Sequence, residues 1–217
     1  MPRLSAMKSI AINISSARGS VSGLLHPANT SRAAAILLSD AQGGIEGPSG
    51  VYEELATRLQ GAGVVTLRLE YRIAGDLEEC VYDVLRAIAA LRNQGVERIS
   101  LVGWGFGGLV ALTAGAVGEI VTGVATLAGE GDALDLVSEL APRRLLLIHG
   151  AGDSVIPATA SRALYATAAQ PKELVVYPEA DHDFAEQRAE LLDKLTLWNR
   201  RLLLTPYTSR AHAHAAS

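Results

Sequence analysis

"LVGWGFGGLVAL", residues 101–112, decides how the chain is read. It begins as an apolar strand, is punctuated by glycine at 103, 105 and 107, and continues as an apolar helix. Glycine at alternate places permits a turn too sharp for ordinary side chains. The stretch therefore predicts a strand over 98–103 and a helix over 106–116. Residues 101–118 also form an uncharged run of 18 residues, the length at which a membrane span becomes a candidate. Six of those residues are glycine, and strand, turn and helix account for them better than a span does.

Working outward, the same grammar repeats. Ile10, Ile12 and Ile14 alternate with polar or small residues, the period of a half-exposed strand, and "VSGLLHP" (21–27) is its expected hairpin partner. "AAAILLS" (33–39) is an unbroken apolar run, as in a strand covered on both faces. Further strands are predicted at 64–69, 120–128, 143–150 and 172–178, and helices at 51–60, 76–93, 157–168 and 184–203. On the long helix Leu77, Cys80, Val81, Val84, Leu85, Ile88 and Leu91 share one stripe, which makes Cys80 a small core residue rather than a nucleophile. Leu191, Leu192, Leu195 and Trp198 form the apolar face of the last helix. Strands alternating with helices imply an α/β domain with a mainly parallel sheet, made mixed by two antiparallel strands at the front. Residues 1–205 are read as that single domain. Residues 206–217 are read as a frayed tail, where His212 and His214 offer at most weak metal binding. The connection from 128 to 143 is too short for a helical lid.

The bulk numbers agree. A chain of 217 residues, 49% hydrophobic, suits one domain with a sizeable core. A net charge of −4 gives no electrostatic reason to bind nucleic acid or an anionic membrane. Cys80 is the single cysteine, so no internal disulfide forms and a reducing compartment is compatible. The first 16 residues lack the long apolar segment of a secretory leader, and a cytoplasmic location is expected. No cofactor is expected, nor a metal, because one histidine among carboxylates has no recognisable ligand spacing.

Three stretches line up at strand ends: "LVGWGFGGLVAL", then "LLLIHGAGDSVIP" presenting Asp153, then "LVVYPEADHDF" presenting His182. Glycine turn, acid and histidine in that order resemble the α/β-hydrolase superfamily, and most of all its small lidless dienelactone hydrolase-like and esterase-like members. The resemblance covers nearly the whole chain. It includes "RLEYR" (68–72), similar to the family's Asp-Tyr-Arg-Gly turn after the fourth strand. It implies an α/β-hydrolase fold: a mostly parallel sheet with helices on both faces, no lid domain, and a site open on the carboxyl edge. It also implies the catalytic positions Gly105, Asp153 and His182, and an oxyanion hole from the N–H of Phe106 and a second N–H near Ala41.

In that family a serine on the turn attacks, a histidine takes its proton, an acid orients the histidine, and two N–H groups bind the oxyanion. This chain departs twice. Gly105 stands where the pattern G-x-S-x-G has serine, and Ser39-Asp40 stands where the oxyanion loop usually has His-Gly. A carboxylate there is expected to repel a developing negative charge. The space over Gly105 is expected to suit a water molecule facing His182. Ser39 and Ser154 lie off the turn and are poor substitutes for the nucleophile. Asp40, Glu130, Asp132, Asp181 and Asp183 are expected near the same edge, as solvated loop residues or as a site for neutral or cationic ligands.

Three readings remain open. The protein is a degenerate hydrolase that binds a small molecule or a protein partner. Or the Asp153–His182 pair acts as a base without a covalent intermediate. Or this is a serine ester hydrolase inactivated at position 105. If only the serine is missing, Gly105→Ser is expected to return some activity, at a stability cost of roughly 1–3 kcal/mol for a side chain on a strained turn.

Overall fold

A computed structural model describes residues 8–29, 31–131 and 133–205; the expected tail with His212 and His214, and Asp132, lie outside the described residues. Eight strands form one sheet in the order β1-β2-β4-β3-β5-β6-β7-β8. They are β1 (Ile10–Ser16), β2 (Gly19–His26), β3 (Ala33–Leu38), β4 (Val65–Glu70), β5 (Arg98–Trp104), β6 (Val121–Leu127), β7 (Arg144–Gly150) and β8 (Lys172–Tyr177). β2 is antiparallel to both β1 and β4, and every other pairing is parallel. The two front strands form the expected antiparallel hairpin and make the sheet mixed, with β2 alone running against the other strands.

The helices are α1 (Val51–Gly61), α2 (Leu77–Asn93), α3 (Phe106–Val117), α4 (Leu134–Ser138), α5 (Thr159–Thr167) and α6 (Arg188–Leu204). Side chains alternate across a strand, and the central strands feed two cores. Ala34, Ile36 and Leu38 of β3 meet α2 and α3 on one face. Ala33, Ala35 and Leu37 meet α1 and α6 on the other. The stripe on α2 runs through Cys80, Asp83, Val84, Ala87, Ile88 and Leu91, with Leu77 left at the surface. Cys80 is fully buried, its Sγ hydrogen-bonds the carbonyl of Ile73 at 3.2 Å, and burial pushes its thiol up to about 12. An unreactive core thiol is the result.

Two elements differ from the sequence reading. The connection after β6 holds the five-residue helix α4, too small to be a lid. The last helix starts at Arg188, not 184, because Phe184 takes a left-handed φ of 55° that no helix interior accepts. No helix among the described residues is long and apolar enough to cross a membrane.

Candidate active site

The sheet delivers four loops to its carboxyl edge. Asp40 lies just past β3, Gly105 joins β5 to α3, Asp153 follows β7, and His182 follows β8. Parallel α/β sheets bind ligands at this edge.

The β5–α3 turn is as tight as its glycines predict. Gly105 has φ 54° and ψ −121°, outside the comfortable range of a residue with a Cβ. A Cβ on Gly107 would lie 2.8 Å from the carbonyl oxygen of Leu38, so α3 can approach β3 only because this residue is glycine. The turn leaves the first N–H of α3, that of Phe106, pointing outward without a helical partner.

Asp40 takes that donor. The N–H of Phe106 donates to Asp40 Oδ1 at 2.8 Å, and the N–H of Ala41 also faces the carboxylate. These are the two groups expected to form an oxyanion hole. The carboxylate also fills the space over Gly105: a Cβ there would lie 2.7 Å from Asp40 Cγ, closer than real Cβ atoms approach. The carboxylate expected to oppose a developing negative charge sits in the hole itself. One expectation is corrected here: the space over Gly105 belongs to this side chain rather than to water.

His182 faces the same carboxylate. Its Nδ1 donates to Asp153 Oδ2 at 2.9 Å, and its Nε2 stands 3.9 Å from Asp40 Oδ2, an ion-pair distance beyond hydrogen-bond reach. The imidazole is 13% exposed, Asp40 26% and Asp153 0%, so all three interact with little solvent between them. Asp40, then Asp153, outweigh burial and raise His182 to about 9. Burial would raise the carboxyl of Asp40, but His182 and the N–H groups of Phe106 and Ala41 prevail and hold it below its ordinary value. Asp153 behaves likewise: burial pushes it up, while the N–H groups of Ile156 and Val155 and the imidazole bring it down. At neutral pH the centre is therefore carboxylate, imidazolium, carboxylate, with one net negative charge.

Further supports had no distinct signal in the sequence. Trp104 packs its ring against His182 with centroids 5.5 Å apart, and its indole N–H donates to the His182 carbonyl at 3.2 Å. Behind Asp153, buried His149 holds Nε2 3.3 Å from Asp153 Oδ2 and 2.8 Å from the carbonyl of Ile156, while Nδ1 meets Ser161 Oγ at 2.7 Å. Both neighbours of Nε2 are acceptors, so that nitrogen carries the proton.

The other sequence candidates stay apart. Ser39 is buried, and its hydroxyl bonds none of the described residues. Ser154 is exposed. Asp181 accepts the N–H of Ala185, Asp183 points to solvent, and Glu130 lies on the loop after β6. A groove of about 1280 Å³ opens at the opposite, amino edge, between Arg98, Arg144, Lys172 and Trp198. It has no part in this centre.

The charge pattern sets a pH dependence. His182 is raised in the folded protein, so its pairing with Asp40 and Asp153 contributes stability that is fully present below the ordinary histidine value of about 6.5. That contribution is lost as pH rises through about 9. An NMR titration of His182 is expected to show its midpoint near 9, and Asp40→Asn is expected to move it down clearly. A midpoint unmoved by Asp40→Asn would contradict the assignment.

Comparison with known proteins agrees with the fold. A dienelactone hydrolase from Anabaena variabilis superposes with a TM-score of 0.79 at 21% identity, covering 90% of this chain and 98% of that one. An esterase domain from Rhodothermus marinus gives 0.76 at 20% identity, covering 91% and 100%. A lidless α/β serine hydrolase from Xanthomonas campestris gives 0.72 at 19% identity, covering 94% and 100%. Escherichia coli K12 YfhR, an uncharacterized protein, is 44% identical over 46 residues, a match spanning 21% of this chain and only 16% of YfhR. Strands β4 to β8, the sharp turn and the loops carrying Asp153 and His182 fall within residues 56–216, which match the family model directly, and the chain belongs to the dienelactone hydrolase family.

Proposed function

We propose that this protein is a dienelactone hydrolase-like protein without an acyl-serine step, which engages a small neutral or cationic molecule at a carboxyl-edge centre rebuilt around Asp40. One observation carries the reading. A single carboxylate occupies both the place of a nucleophile on residue 105 and the N–H cradle that would hold an oxyanion. Loss of the serine alone costs a well-studied serine protease about 10⁶ in turnover, and here the cradle is taken as well. An anionic molecule would meet the net negative charge of the centre, whereas a neutral or cationic one would not.

A second reading, the Asp153–His182 pair acting as a base on water, is supported by the 2.9 Å bond between them. An imidazole raised to about 9 is mostly protonated at neutral pH, so that activity would rise steeply up to about pH 9. The third reading, an ester hydrolase changed only at position 105, leaves Asp40 unexplained.

The test is an activated ester and a fluorophosphonate probe on the native chain. No burst and no labelled residue are expected. A burst, or label on Ser39 or Ser154, would overturn the reading.

A further inference from the structure

We propose that Asp40 is a nucleophile displaced from the elbow onto the neighbouring loop, and that the centre hydrolyses small uncharged alkyl halides through an Asp40 alkyl ester. The proposal deepens the reading above and rests on it, since it needs the acyl-serine route to be absent.

Three features of the geometry support it. First, the two carboxylate oxygens are inequivalent. Oδ1 is held by the N–H of Phe106 at 2.8 Å, while Oδ2 faces His182. Hydrolysis of an aspartyl ester needs this division: one oxygen carries the alkyl group, and the other, the carbonyl oxygen, sits on N–H donors ready for the charge of a tetrahedral intermediate. A donor distance of about 2.7–3.1 Å is what such stabilisation requires. Second, a histidine oriented by a buried acid faces the same carboxylate, with Nε2 3.9 Å from Oδ2. Third, the carboxyl edge carries exposed apolar side chains among its polar ones: Ile73 and Val155, exposed by 50% and 67%, lie on the loops after β4 and β7, and Leu134, exposed by 42%, opens α4 after β6. The loop of Ile73 packs on that of Asp40: Cβ atoms placed on Gly43 and Gly75 would lie 3.2 Å from Ala74 Cβ and 3.6 Å from the Ala41 carbonyl oxygen. Exposed apolar side chains beside a negatively charged centre suit an uncharged alkyl group better than an anionic ester.

The chemistry balances. Asp40 Oδ2 attacks the carbon bearing the halogen, the carbon–halogen bond breaks with its electron pair, and halide leaves to solvent. The Asp40 carboxylate becomes a neutral ester. His182 then loses the neighbour that did most to hold its proton, releases that proton to solvent, and becomes a base. It takes a proton from water as the water oxygen adds to the carboxyl carbon. The intermediate collapses, the alkoxide leaves with the proton from His182, and the Asp40 carboxylic acid so formed passes its proton to His182, which restores carboxylate and imidazolium. The sum is alkyl halide plus water giving alcohol, halide and a proton. The base is thus available only after the ester has formed.

The experiment uses 1-bromobutane on the native chain and on His182→Gln. The native chain is expected to release bromide and butanol. His182→Gln is expected to lose turnover by about a hundredfold or more, the usual contribution of a general base, and to accumulate one butyl group on Asp40, located by peptide mass mapping. In ¹⁸O-water a single turnover of the native chain should place the label in the Asp40 carboxylate, not in the butanol. Should His182→Gln fold poorly, Asp153→Asn serves the same purpose, and Asp40→Asn should abolish both bromide release and adduct. Bromide release surviving Asp40→Asn, label appearing first in butanol, or no bromide and no adduct at all would overturn the proposal. Those failures leave the absence of an acyl-serine step standing; only the ester burst or the fluorophosphonate label would remove that.

Discussion

Ester hydrolysis is expected to return in the double variant Gly105→Ser/Asp40→Gly, at least about a hundredfold above either single change. In Gly105→Ser alone the new Cβ would lie 2.7 Å from Asp40 Cγ, so either the serine or the carboxylate must leave its place. Whichever yields, the N–H of Phe106 remains next to a competing negative charge. Asp40→Gly alone frees the cradle but supplies no hydroxyl. Only together do the changes leave a nucleophile, an unoccupied pair of donors, and a histidine relieved of one carboxylate. A single oxyanion donor is worth about 10²–10³ in turnover, which sets the expected gap. The double variant carries a side chain at φ 54° and should be less stable by roughly 1–3 kcal/mol. Activated-ester kinetics on the native chain and the three variants decide the matter. Full activity in Gly105→Ser alone would mean that Asp40 moves aside freely and that its place at the centre is incidental.

The second large effect is structural. Phe184→Ala is expected to lower unfolding stability by about 3–5 kcal/mol in urea titration. Phe184 is fully buried two residues after His182, among Ala180, Leu191 and Leu192 of the core beneath α6. Its ring meets Tyr177 edge-on at 6.3 Å. Its φ of 55° is unfavourable for an aromatic residue, so packing holds a backbone that local preference would not. Removing the ring takes away that hold, and the His182 loop should loosen with it. Phe184→Leu should cost markedly less, since most of the volume is kept. A loss below about 1 kcal/mol for Phe184→Ala would show that the loop is anchored elsewhere.

The fold was legible because its signals are local and periodic. Residues 101–107 read as strand and turn from glycine placement alone, and the apolar run 33–38 read as a strand covered on both faces. Asp153 and His182 were legible because each ends a strand in the expected order, and the structure brings them to 2.9 Å. The seat of Asp40 was not legible. A residue just past a strand end has no periodicity to fix where its side chain points. The two departures were read as separate losses, although they are one change: removing the side chain at 105 makes the room that the carboxylate at 40 fills. A small residue on the turn paired with an acid on the facing loop was the available signal. Trp104 and His149 were missed for a different reason, since an aromatic or a histidine at a strand end reads equally well as core. The start of α6 was missed because the apolar pattern around Phe184 looks helical until its φ is known.

Asp40 and Phe106 are 66 residues apart in sequence, and Asp40 meets its imidazolium only across β7 and β8, the last strands made. A chain synthesised from its amino end produces this carboxylate early and its counter-ion late. The N–H of Phe106 at the start of α3 lies between them in the chain. The backbone donor of this carboxylate thus lies near the middle of the chain and its cation after the last strand, so the buried charge is balanced only by a chain long enough to carry β8 and the loop beyond it.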